Sequence, residues 1–95
     1  MAVIVRIVID SASQDDHDRL GDAVEARLHD QGGPPDGLMV HVGWPERDGF
    51  VIAEAWRTEE LFRRYREHLL EPALAEAGLV AREPEVSPAW SIARP

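Results

Sequence analysis

Three polar side chains interrupt stretches of sequence that otherwise read as apolar β-strands: Arg6, His41 and Glu54. Burying such groups is unfavourable unless they are paired, so they are the first candidates for chemistry. An imidazole moves protons near neutral pH, and a carboxylate can orient it or take the proton itself. A guanidinium suits the negative charge of an enolate or phenolate. The catalytic set read from these residues is therefore His41 or Glu54 as the base, with Arg6 stabilising the anion formed. A structural Arg6–Glu54 ion pair between neighbouring strands is the competing reading, and the two are compatible. Glu54 and Trp56 lie two apart and share a strand face. His41 joins that face only if the hairpin between them has an even-numbered loop. Trp44 opposite Gly49 would put it there, and Trp44 opposite Phe50 would put it on the other side. Around these groups Trp44, Trp56, Tyr65 and Trp90 could wall an apolar pocket. His68 follows Tyr65 by three residues, on the same side of a helix. The plain alternative makes Tyr65 a core residue and His68 half-exposed surface. His17 and His29 read as surface positions.

The absent residue types restrict the chemistry further. The chain has no Cys, and its 10 basic residues are all Arg. Thiolate nucleophiles, Cys-based zinc sites and lysine Schiff bases are thereby excluded. No pair of His or carboxylates has a recognised metal spacing, so no metal and no cofactor are expected. Asp15-Asp16-His17-Asp18 reads as a solvated helix start, because a calcium loop needs more oxygen ligands and a turn glycine. No glycine-rich phosphate loop or nucleophile elbow occurs. A formal charge of −8 with no basic stripe argues against nucleic acid. No run approaches the roughly 20 apolar residues of a membrane span, and Arg6 breaks the first apolar run, which lacks signal-peptide form. A cytoplasmic protein is expected.

The elements that must position these residues fit one domain, 1–95, of ordinary globular composition. Val3, Val5, Ile7 and Ile9 form one face of a first strand, with Ile4, Arg6 and Val8 on the other. Ser13 caps a helix over 14–31, whose stripe is Leu20, Val24 and Leu28, stopped by Gly32-Gly33-Pro34-Pro35. Gly21 within it is read as a point of close packing on a sheet. Residues 38–44 and 50–57 are strands around an Asp-Gly turn signal. Thr58 caps a second helix with Leu61, Phe62, Tyr65 and Leu69 as its stripe. Pro72 is expected to kink or restart that helix, which ends at Gly78. Residues 86–93 form a last strand at a sheet edge. The order β-α-β-β-α-β predicts an α+β, ferredoxin-like fold: a four-stranded antiparallel sheet with two helices on one face. Its strands are apolar on both faces, so a homodimer through the uncovered sheet face is expected.

The segment from Pro35-Asp36-Gly37-Leu38 through His41 to Glu54-Ala55-Trp56-Arg57-Thr58-Glu59-Glu60-Leu61-Phe62, with Leu70-Glu71-Pro72-Ala73-Leu74, resembles the antibiotic biosynthesis monooxygenase-like group of dimeric α/β-barrel proteins. The resemblance implies a dimer with a hydrophobic pocket in each subunit. It implies cofactor-independent oxidation, cyclisation or isomerisation of an apolar aromatic or polyketide-like molecule. Trp56 matches the group's strand-end tryptophan, and Glu54 its acid two residues earlier. The first-strand Asn of haem-degrading relatives has no match, since Arg6 lies there, and their helix His is only approximated by His68. A monooxygenase-like enzyme is thus the expectation. A cyclase or isomerase on the same fold is the first alternative, and a non-catalytic small-molecule-binding or stress-associated dimer the second.

Overall fold

The computed structural model describes residues 1–93. Its strands are β1 (Val3–Ile9), β2 (Leu38–Glu46), β3 (Gly49–Trp56) and β4 (Glu85–Pro88). They form one antiparallel sheet in the order β2-β3-β1-β4, as the ferredoxin-like expectation requires. The helices are α1 (Gln14–Gln31), α2 (Glu59–Tyr65) and α3 (Glu71–Ala77). Among the described residues, no helix is long and apolar enough to cross a membrane.

Ser13 caps α1 through a capping box. Its hydroxyl accepts from the Asp16 backbone, while the Asp16 carboxylate accepts from the Ser13 N–H. Thr58 caps α2 by accepting from the Leu61 N–H. Between α2 and α3 the backbone continues through a π-turn, Arg66–Leu70, in which the Glu71 N–H donates to the Arg66 carbonyl. That widened turn is how the helix accommodates Pro72, whose ring would crowd the carbonyl four residues earlier. It leaves Leu69 and Leu70 both buried.

Register settles which residues meet. β2 runs two residues beyond the expected 38–44, to a two-residue turn with Glu46 opposite Gly49. Pro45 is tolerated inside it because β2 is an edge strand. Gly49 is obligatory for a different reason: a Cβ there would overlap the Ile9 carbonyl oxygen. β4 stops at Pro88, short of the expected 93; Glu85–Pro88 pair with Val3–Arg6, and beyond the ladder the Ala89 N–H donates to the Ala2 carbonyl. Gly21 packs on nothing: a Cβ there would meet no atom within 4 Å, contrary to the close packing expected of it.

The helix-side face of the sheet builds the core from Val3, Val5, Ile7 and Ile9 of β1 with Phe50, Ile52 and Trp56 of β3. The other face carries rows of cross-strand neighbours: Trp44–Val51–Val8, Val42–Ala53–Arg6 and Val40–Ala55–Ile4. Val40, Val42 and Trp44 stay exposed there.

Candidate functional site

His41 lies directly opposite Glu54 in the β2–β3 ladder, on the helix side of the sheet. The two-residue turn supplies the even-numbered loop this needs, with Trp44 opposite Val51. Glu54 is 3% exposed and both its oxygens are engaged. The Trp56 indole N–H donates to Oε1 at 3.0 Å. His41 Nδ1 lies 2.8 Å from Oε2. A carboxylate accepts only, so Nδ1 carries the proton and the neutral ring presents a bare Nε2. The hydrogen bond with Glu54 raises the His41 pKa above its ordinary 6.5, against an opposing effect of burial. Trp56 is itself fixed, fully buried with its ring 4.9 Å from Tyr65 and 5.8 Å from Phe62. The order of support is therefore core packing, then Trp56, then Glu54, then His41.

This chain of contacts borders a cavity of about 230 Å³ between the sheet and α1. Leu20, Val24 and Leu28 of α1 face Ile7 and Ile52 of the sheet across it. Its polar groups are His41, Glu54, Tyr65 and His17. Burial, and secondarily the charge of Glu54, push the Tyr65 hydroxyl far above its usual range, so it remains protonated and able to donate. Ile7 and Leu70 also line a second cavity of about 390 Å³ on the far side, beneath the segment 79–84. Among the described residues, no three of His, Asp and Glu gather as a metal site would require.

The remaining predicted residues lie apart from this cavity. Arg6 is opposite Ala53 on the other face, paired with Glu46 at 2.8 Å and Glu85 at 3.4 Å. The expected Arg6–Glu54 contact does not form: Glu54 is opposite Val5, and adjacent residues of a strand point to opposite faces. Trp56 stands behind Glu54 instead of lining the cavity. Trp44 belongs to the open face, and Trp90 is 95% exposed beyond β4. His68 is exposed on the π-turn beside a separate cleft with Arg64 and Asp36. Of the proposed aromatic wall, Tyr65 alone reaches the cavity.

His17 is the residue that sequence reasoning missed. Its place in an acidic helix turn reads as surface, yet it lines the cavity, with its ring edge-on to Phe50 at 5.1 Å. The signal was present, since positions 17, 20, 24 and 28 continue one helical stripe.

No family model matches the chain, and no curated protein matches it. Solved structures do. SnoaB, a cofactor-independent oxygenase from Streptomyces nogalater, superposes with a TM-score of 0.64 at 18% identity, covering 96% of this chain and 94% of that one. A candidate antibiotic biosynthesis monooxygenase from Deinococcus radiodurans gives 0.60 at 15% identity, over 99% and 97%. A further candidate of that kind, from Chloroflexus aurantiacus, gives 0.55 at 19%, over 96% and 97%. The resemblance read from the short motifs thus extends over nearly the whole chain as structure, and the chain has the fold of the antibiotic biosynthesis monooxygenase-like proteins.

Proposed function

We propose that this protein is a cofactor-independent oxygenase acting on a small hydroxylated aromatic molecule. The observation that carries the proposal is the Trp56–Glu54–His41 chain, which ends at a mostly apolar cavity whose other polar groups are Tyr65 and His17. Fixing Nδ1 on Glu54 directs the basic Nε2 outward, as a general base requires. His41 takes the substrate's hydroxyl proton, and the Tyr65 hydroxyl donates to the resulting phenolate. The anion then reacts with dioxygen. For 1-naphthol the balanced reaction gives 1,4-naphthoquinone and water. One oxygen atom enters the ring, the ring C–H is replaced by C=O, and the second oxygen leaves as water. The substrate supplies all four electrons.

Size supports the same class. Pockets for drug-sized ligands begin at roughly 300 Å³. A cavity of about 230 Å³ fits two fused rings better than four. The exposed apolar row Val40, Val42 and Trp44 supports a homodimer joined through the open sheet face, the helix-side cavity being left to the ligand.

The test is oxygen uptake with 1-naphthol and its hydroxylated analogues, with product mass read in parallel. The wild type is expected to consume dioxygen and form the quinone, and both His41→Ala and Glu54→Gln to abolish this. A product of unchanged mass without oxygen uptake would favour an isomerase. Full activity in both variants would remove the base from this site.

A further inference from the structure

His17 lines the cavity with His41, and its Nδ1 also lies beside a carboxylate, here the exposed one of the adjacent residue. Its Nδ1 lies 3.1 Å from Asp18 Oδ1, and among the described residues its Nε2 has no partner. In each ring Nδ1 faces a carboxylate oxygen, which leaves Nε2 as the nitrogen available to a ligand. The space for the His17 ring is reserved by β2. His41 and Gly43 are two apart on the helix-side face, and a Cβ on Gly43 would come within 3.1 Å of His17 Nε2. The edge-on contact with Phe50 sets the ring plane. The His17 side chain is 39% exposed, and with Gly43 and Phe50 it also lines an adjoining cleft; it reaches the His41 cavity beside Leu20 and Gly21.

We propose that His17 is a second recognition residue of this cavity, and that the ligand is a two-ring arene bearing two hydroxyl groups, one for each imidazole. The proposal rests on the reading that the His41 cavity is the ligand site. It adds the reason for a second acceptor there. A ligand with one hydroxyl would satisfy His41 and leave His17 Nε2 facing a hydrocarbon, whereas a diol satisfies both. Leu20, Val24 and Leu28 meanwhile cover the ring faces.

The experiment compares dissociation constants of naphthalene, 2-naphthol and the 1,5-, 2,6- and 2,7-dihydroxynaphthalenes under nitrogen, using wild type, His17→Phe, His41→Phe and Gly43→Ala. One additional neutral hydrogen bond is expected to make the best diol about 5–10-fold tighter than 2-naphthol. His17→Phe should erase that gain, so that the best diol binds this variant no tighter than 2-naphthol does. Gly43→Ala should reduce it too, while retaining His17, because the new methyl group forces Nε2 back by a few tenths of an ångström. A diol preference that persists in both variants would overturn the assignment of His17. So would a wild type that prefers no diol but still binds 2-naphthol in a His41-dependent way. If the wild type does not distinguish naphthalene from 2-naphthol and His41→Phe changes nothing, the cavity reading fails, and the role of His17 falls with it.

Discussion

Replacing Glu54 by Gln keeps the shape of the side chain and removes its charge. The wild-type carboxylate accepts from Trp56 with one oxygen and from His41 with the other. Glutamine has one oxygen. If that oxygen stays with Trp56, the amide NH₂ faces His41 Nδ1, which must then accept. The ring proton moves to Nε2, and the lone pair proposed as the base is lost. A charge-assisted hydrogen bond of about 1.5–3 kcal/mol becomes a neutral one of about 0.5–1.5 kcal/mol. The His41 side chain is 50% exposed, so solvent screening favours the low end. The expected loss is about 1 kcal/mol, or roughly 4–8 °C in Tm for a domain of this size. Its pH dependence is the sharper test. In the folded protein His41 titrates above its ordinary 6.5, chiefly through the Glu54 hydrogen bond. Stability from a raised pKa is fully present below the unfolded value and is lost as pH rises through the folded one. The gap between wild type and Glu54→Gln should therefore be widest on the acid side of 6.5 and narrow as pH climbs through the raised value. Urea denaturation at a series of pH values measures the gap, and NMR titration of the His41 ring follows the group itself. A gap that is constant with pH, or a His41 that titrates alike in both proteins, would refute the ion-pair reasoning.

Other substitutions test separate parts of the structure. Gly21→Ala meets no neighbouring atom and should stabilise α1 by about 1 kcal/mol, seen as a raised Tm. Val42→Asp on the open face should break the proposed homodimer into monomers in sedimentation equilibrium while leaving the helix-side cavity intact. Inserting one glycine between Arg47 and Asp48 should reverse the face of either β2 or β3. His41 would then lose Glu54, and its titration should return toward the ordinary value.

Local signals read well from the sequence because they are settled locally. Ser13 and Thr58 have the side chains of helix caps, and the Leu20, Val24 and Leu28 stripe follows from helical spacing. What needed the structure was the parity of pairing between distant strands. Whether His41 meets Glu54 depends on a single residue of turn length, which Asp-Gly alone does not specify. Arg6 illustrates the same problem. Both faces of β1 are mostly apolar, so no alternation tells which one looks toward the helices, and β1–β3 register put Val5 opposite Glu54. Trp90 falls beyond the strand expected to hold it, since β4 ends at Pro88 and leaves the Trp90 side chain 95% exposed. His17 was passed over because a polar residue at the start of an acidic helix turn resembles solvated surface, although its spacing continued the buried stripe.

The partition formed by Ile7 and Leu70 has a consequence for how such a protein can diversify. One layer of side chains separates voids of about 230 and 390 Å³. Leu70 closes a π-turn, whereas Ile7 is held in the central sheet, and both are buried in the core. A smaller residue at position 70 would join the two spaces without touching the Trp56–Glu54–His41 chain. Under the proposed function, ligand length and proton chemistry would thus be carried by separate parts of the fold, and one could vary while the other is retained.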